Sequence, residues 1–501
     1  MGGKVILVGA GPGNAGLMTL RGKHALETAD VVLYDRLVGD DILAMIPESA
    51  LGIDVGKSSG RHPIPQDKIN ALLLDHAKEG KTVVRLKGGD PYLFGRGAEE
   101  LEVAIKDGIP FEVVPGVTSA ISVPAYAGIP VSHRDYSSSV HIITAHKKNG
   151  EAPDFDYRSL VSFGGTLVFL MGLGTIDAIT SGLLDAGMPE ATPAALLENG
   201  TRPNQRKLVS SLAGIAGLCK SEEFISPSIL VVGGVCALSD ELDWFSQLPL
   251  KGVSVIVTRP GKRSALSQKL RELGADVVDF PCIRTEPLAL PESFTEKMSM
   301  FHWLAFTSPY GAELFFEVLK EKGIDIRMLH RAKIAAVGEK TASVFSERGI
   351  RVDYVPDSYN ANELGAGLPY SDGEGVLLFR AQDGTPSLAT TLQERGFVVE
   401  DFAAYRTIRE SAGSGLESAA LVRAGEILER GDLDFVTFTS ASTAQGFVAA
   451  TADFSFDRNG YRSICIGEET AAEARKHGFN VVVSKKATIE SIVEKIKESI
   501  K

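Results

Sequence analysis

Two stretches of this chain have residue types and spacing suited to small-molecule chemistry: Val8-Gly-Ala-Gly-Pro-Gly13 and Arg85-Leu-Lys-Gly-Gly-Asp-Pro-Tyr-Leu-Phe-Gly-Arg-Gly97. In the second, Gly88 and Gly89 let backbone approach a ligand without a Cβ in the way, and Asp90 accepts hydrogen bonds or offsets a positive charge. That set suits a cationic sulfonium cofactor better than a phosphate. A tight turn in which Asp90 bonds its own backbone accounts for the same letters. In the first stretch, Gly9 and Gly11 stand where a dinucleotide fingerprint wants them, and Asp35 follows the next strand. The third fingerprint glycine is replaced by Asn14, and Pro12 has no N–H to offer a pyrophosphate. An NAD-dependent dehydrogenase therefore rests on a partial fingerprint.

Taken in order, VGAGPGNAGLMTLRG, YDRLV, GKSSGRHPIPQDKIN, RLKGGDPYLFGRGAEE, PGVTSA, AYAGIPVSHR and VFLMGL resemble the uroporphyrinogen-III C-methyltransferases of the tetrapyrrole methylase superfamily, over about Lys4 to Phe245. The resemblance implies a two-lobed methylase fold. It also implies methyl transfer from S-adenosylmethionine to C2 and C7 of uroporphyrinogen III, giving precorrin-2 and S-adenosylhomocysteine. A pyrrole carbon in such a ring is enamine-like, and its proton must be managed as the methyl group arrives, which one base and one acid nearby would do. The resemblance places the base on Asp35 and the acid on Lys57, and cofactor contacts on Pro12, Gly88, Gly89, Asp90, Leu93, Thr118, Ser119, Met171 and Gly200. Arg36, Arg61, Arg96 and Arg134, in or beside these motifs, offer forked donors to substrate carboxylates. Plainer roles compete: a strand-end loop residue for Asp35, a solvated cation for Lys57, strand core for Met171 and a helix cap for Thr118 and Ser119.

The rear half contains an internal repeat. Val253 to Phe280 is similar to Gly375 to Phe402, Trp303 to Phe315 to Phe435 to Phe447, and Lys333 to Val355 to Ser463 to Val483, giving the order A, B, C, A′, B′, C′. Duplicated α/β units give two similar lobes with a cleft that favours ligands, connected here by Pro281 to Pro287 and Tyr405 to Arg409. Thr307, Ser308, Thr439, Ser440 and Thr470 fall where strands end and helices begin. Such positions suit anion contacts through hydroxyl and N–H, with N-capping as the plainer role.

This architecture resembles uroporphyrinogen-III synthase across about Lys251 to Lys501, with TRP at Thr258 to Pro260, FTS at Phe306 to Ser308, YRT at Tyr405 to Thr407 and IGEETA at Ile466 to Ala471. The resemblance implies dehydrating closure of hydroxymethylbilane through a spiro intermediate that inverts ring D. Tyr405 would serve the departing hydroxyl, and the lobes would exchange pieces, A joining B′C′ and B, C joining A′. Such a reaction needs a flexible polyanion folded more than it needs strong acids or bases. The whole chain then reads as a bifunctional enzyme of sirohaem or cobalamin synthesis. The alternative keeps the methyltransferase and makes the rear half a non-catalytic tetrapyrrole-binding module.

The elements that must position these residues are short β-branched runs alternating with helical patterns, from Val5 to Val8 through Ile229 to Val232, which is the signature of α/β units. The pattern stops at Phe245 to Gly252. We therefore expect a methyltransferase over 1–245, a linker over 246–252 and a synthase over 253–501, with lobes at about 253–282 plus 410–501 and about 286–404. With 52 Lys+Arg against 64 Asp+Glu in 501 residues, the net charge is −12, and no dense basic block exists to bind nucleic acid. Cys219, Cys236, Cys282 and Cys465 lie far apart, without CxxC or a neighbouring His, as in a reduced cytoplasmic protein with no metal site. No leader or membrane segment is visible, since the most apolar stretch, Gly164 to Ile176, is about half the ~20 residues a span needs. The methylase family suggests a homodimer.

Overall fold

The computed structural model describes residues 2–47, 49–56, 64–145, 154–258, 264–370, 373–384, 386–409 and 418–500. The chain divides into two compact units, Met1–Ser254 with Ser267–Val277, and Val255–Leu266 with Val278–Lys501.

In the front half, β1 (Lys4–Gly9), β2 (Val31–Tyr34), β3 (Leu51–Asp54), β4 (Thr82–Lys87) and β5 (Phe111–Val114) form an all-parallel sheet in the order β3-β2-β4-β1-β5. Side chains alternate across a strand, so β1 feeds two cores at once. Val5 and Leu7 pack with Ile69, Leu73 and Leu101 on one face, while Ile6 and Val8 pack with Ala25, Leu26 and Ile42 on the other. Burial on both faces is why β1 carries four apolar residues in a row.

The second sheet of this half holds β6 (Val140–Thr144), β7 (Thr166–Leu170), β8 (Pro193–Glu198), β9 (Arg206–Ser211) and β10 (Ser228–Val232), in the order β6-β7-β10-β8-β9. Only β6 and β7 run parallel; the other neighbours are antiparallel.

The rear half supplies β11 (Ser254–Val257), β12 (Asp276–Asp279), β13 (Ile283–Pro287), β14 (Trp303–Phe306), β15 (Lys333–Ala336), β16 (Gly375–Ala381), β17 (Val398–Arg409), β18 (Phe435–Phe438), β19 (Arg462–Cys465) and β20 (Val481–Val483). One sheet has the order β12-β11-β18-β19-β20 and the other β13-β17-β16-β14-β15. Strands of the first A unit therefore share a sheet with B′ and C′, and those of A′ share one with B and C. The two stretches expected as connections form an antiparallel ladder, from Ile283 opposite Arg409 to Pro287 opposite Tyr405.

The second of these sheets is packed by a phenylalanine cluster. Phe306 on β14 is fully buried, with its ring centroid 5.1 Å from that of Phe315, 4.9 Å from Phe345 and 6.0 Å from Phe379. Phe306→Ala is expected to cost about 3–5 kcal/mol through lost burial and a residual cavity. A urea transition followed by the fluorescence of buried Trp303 measures it, and a cost below about 1 kcal/mol would show that the cluster collapses onto the gap.

All four cysteines are free and buried. Burial pushes the thiols of Cys236, Cys282 and Cys465 up to about 12, which keeps them as inert thiols rather than nucleophiles. Among the described residues, no helix is long and apolar enough to cross a membrane.

Candidate functional site

Parallel strands end on one edge of their sheet, and ligands of such sheets bind in the crevice beyond those ends. β1 delivers Gly9 to Pro12 to that edge, β2 delivers Asp35, and β4 delivers Gly88 to Asp90. The loops after β1 and β4 are bonded to each other: Gly11 N–H donates to Gly89 O at 3.1 Å and Gly89 N–H to Gly11 O at 2.7 Å. Gly9 sits where backbones crowd, since a Cβ there would lie 2.5 Å from Gly116 Cα and 2.7 Å from Gly89 O. Backbone cannot move aside as a flexible side chain can. Gly9→Ala should therefore destabilise the front half by about 1–3 kcal/mol, read as a lowered thermal midpoint; an unchanged midpoint would show the loops to be slack.

These loops and the second sheet of the same unit enclose a cavity of about 870 Å³, a size typical of small-molecule sites. All nine residues expected at the cofactor line it: Pro12, Gly88, Gly89, Asp90, Leu93, Thr118, Ser119, Met171 and Gly200. Asp35, Arg36 and Arg96 line it too. Arg134 is exposed and is not part of the lining. Lys57 and Arg61 lie outside the described residues.

Asp90 is engaged by backbone more fully than its motif revealed. Oδ1 accepts from the N–H of Tyr92 at 2.8 Å and of Leu93 at 3.2 Å, and Oδ2 accepts from Gly116 N–H at 3.0 Å. Its carboxylate holds two loops in place at the cavity wall. Thr118 caps the helix Ser119–Tyr126, its hydroxyl accepting from Ala120 N–H at 3.3 Å. Met171 is not strand core: it follows β7, is 50% exposed and lies on the cavity.

Backbone strain concentrates here. Among the described residues six non-glycines have positive φ, and Phe94, Arg96, Met171 and Asn199 of these line the cavity, with φ of 55°, 58°, 58° and 49°. Thr201 (φ 66°) adjoins the lining residue Gly200. Such conformations cost about 1–3 kcal/mol each and persist where the surroundings over-determine them. Ser228 also lines the cavity, its buried Oγ without a hydrogen-bond partner among the described residues.

Behind Asp35 lies a group of charges that motif reading missed. Arg85 Nη2 donates to Asp35 Oδ1 at 2.6 Å and Arg85 Nε to Glu100 Oε1 at 3.1 Å. Lys87 Nζ donates to Glu100 Oε1 at 3.0 Å and stands 3.8 Å from Asp35 Oδ2. Arg85, Lys87 and Glu100 are only 2%, 5% and 2% exposed. Two cations spaced i, i+2 in an otherwise apolar strand were the available signal, since they share one face. Arg202 was missed as well; it lines the cavity and donates to Leu37 O at 2.9 Å, tying the loop after β8 to the loop after β2.

In the rear half, Tyr405 is 5% exposed on β17, and its hydroxyl lies 2.6 Å from Ser308 Oγ. Ser308 also caps the helix Pro309–Glu321, accepting from Gly311 N–H at 2.9 Å. Burial raises the Tyr405 phenol above its ordinary value against the opposing Ser308 hydrogen bond, so it remains a proton-bearing group. Thr307 is half-buried at the end of β14. Ser440 and Thr443 form a capping box at the helix Ala441–Ala450, and Thr439 N–H donates to Thr443 Oγ1. Thr470 is buried within the helix Glu468–Lys476. The structure thus joins Tyr405 to Ser308, while Ser440 serves as a cap.

Two families match the chain: tetrapyrrole (corrin/porphyrin) methylases over residues 4–216 and uroporphyrinogen-III synthase HemD over residues 264–494. The porphyrin biosynthesis protein HemD of Ruminiclostridium josui is 42% identical over 502 residues, covering 99% of this chain and 98% of that protein. The uroporphyrinogen-III C-methyltransferase of Bacillus subtilis is 40% identical over 71% of this chain and 74% of its own length. Siroheme synthase 2 of Yersinia enterocolitica is 51% identical over 49% of this chain, and the match spans about half (51%) of that relative. With the two family matches side by side and one relative aligned almost end to end, the chain belongs to the porphyrin-biosynthesis enzymes that fuse a tetrapyrrole methylase to a uroporphyrinogen-III synthase.

Proposed function

We propose that the rear half closes hydroxymethylbilane to uroporphyrinogen III with inversion of ring D, and that the front half methylates this product at C2 and C7 to give precorrin-2, serving sirohaem or cobalamin synthesis. The observation that carries the methylase reading is the convergence of the nine residues expected at the cofactor, together with Asp35, on one cavity. The cavity fits S-adenosylmethionine in its chemistry: glycine backbone at Gly88 and Gly89, the half-exposed thioether of Met171 and the unpartnered hydroxyl of Ser228. Bound there, the cofactor supplies an electrophilic methyl group.

Asp35 acts as the base. Its Oδ1 is held by Arg85, which leaves Oδ2 to take the proton that the methylated ring must lose from its pyrrole N–H or a neighbouring meso CH2, since the methylated carbon itself bears no hydrogen. Arg36 and Arg96 meet substrate carboxylates, Arg61 and Arg134 are further candidates for such contacts, and Lys57 is the acid. In the rear half Tyr405 donates to the departing hydroxyl, while Thr307, Ser308, Thr439, Ser440 and Thr470 face the polyanion. We place the boundary between the two activities at 246–252 and propose a cytoplasmic homodimer.

Anaerobic incubation of the full chain with hydroxymethylbilane and isotopically labelled S-adenosylmethionine tests both halves. The expected product is a type III ring carrying two labelled methyl groups. An unmethylated type III ring would sink the front assignment. Methylation of supplied uroporphyrinogen III without any type III ring from hydroxymethylbilane would make the rear half the binding module.

A further inference from the structure

Arg85, Lys87 and Glu100 are expensive residues to bury, and packing alone does not require them, since apolar side chains of similar volume fill such space at equal or lower free energy. Their arrangement points at Asp35. β4 sends Val84 and Leu86 into the apolar core, so Arg85 and Lys87 share the opposite face. Glu100, on the helix Gly97–Lys106, meets both from the side, and Gln66 Nε2 donates to the same Oε1 at 3.2 Å. Arg85 is fixed further by Leu33 O and Leu86 O, at 3.4 and 3.2 Å. Glu100 Oε2 has no partner among the described residues, so this carboxylate serves as a counter-charge more than as a saturated acceptor.

We propose that Glu100 is a positioning residue for methyl transfer: it holds Arg85 and Lys87 so that their charges converge on the Asp35 carboxylate. This rests on the reading of Asp35 as the base. The four groups balance as two cations and two carboxylates, so removal of either inner charge is felt by Asp35 with opposite sign. Burial, then the like charge of Arg85, lowers the Lys87 ammonium below its ordinary value, while Glu100 and Asp35 pull in the opposite direction. Among the described residues, the other charged groups on the cavity wall are Arg36, next to Asp35 in sequence, and Asp90, Arg96 and Arg202 from other loops. They are unchanged in the test.

The test measures kcat/KM against pH for methyl transfer to supplied uroporphyrinogen III, using the full chain. Each variant is first shown to bind S-adenosylhomocysteine by calorimetry. On the acid limb, where Lys87 carries its proton, Lys87→Met removes a cation from Asp35 and moves the limb up by about one pH unit. Glu100→Gln leaves Asp35 facing both cations and moves the limb down by about the same amount. The charge-balanced pair Glu100→Gln with Lys87→Met returns it close to the parent position. That pair and Glu100→Asp carry the comparison should a single variant fail to fold. Limbs that stay put in both single variants, or shift the same way, overturn the proposal. Wild-type turnover separately decides the methylase reading, so the two failures are distinguishable.

Discussion

Asp35→Asn is expected to slow methyl transfer to uroporphyrinogen III by about a thousandfold, the middle of the range for removing a positioned general base. The substitution keeps the side-chain volume and an oxygen that accepts from Arg85 Nη2, so the bond at 2.6 Å has a successor. What disappears is the negative charge and the capacity to take a proton. The loop at Gly88 to Asp90, proposed to hold the cofactor, is held by backbone hydrogen bonds that do not involve Asp35, so S-adenosylmethionine should bind as before. Anaerobic initial rates of label incorporation measure the effect, and formation of the type III ring by the same variant serves as an internal control. A loss smaller than about tenfold would remove Asp35 from proton handling.

Tyr405→Phe is the counterpart in the rear half, with an expected drop of about a hundredfold in type III ring formation, within the range for a lost proton donor. The ring of Tyr405 packs among Phe294, Phe315, Phe379 and Phe402, and phenylalanine retains that packing. The hydroxyl's bond to Ser308 is lost at a net cost of about 1 kcal/mol, while Ser308 keeps its cap on Gly311. Because burial raises the phenol, wild-type activity should show no dependence on Tyr405 ionisation across the neutral range. Unimpaired type III formation by the variant would leave this hydroxyl a structural role only.

Much of this was legible beforehand because it is local. Short apolar, β-branched runs marked β1 and β4, which are buried on both faces, glycines marked the loops that need backbone without Cβ, and the motif order picked nine residues expected at the cofactor that all line one cavity. Asp90 was only half legible, because its residue type states that it accepts hydrogen bonds but not from whom; Gly116, 26 positions away, is one donor. The stretches 281–287 and 405–409 read as connections because each follows the A unit of its repeat. Their ladder exists only when the two lie side by side.

The amino-acid order by itself determined the elements, the glycine-rich loops, the duplicated rear half and hence the chemistry to look for. Tertiary structure decided which elements meet. The repeats carry nearly the same pattern, so A pairs with B or B′ equally well on local grounds, and only closure of the full chain selects Val255 opposite Phe435. Likewise Arg85, Lys87 and Glu100 are ordinary charges on paper; burial beside Asp35, where water no longer screens them, makes them act on one another.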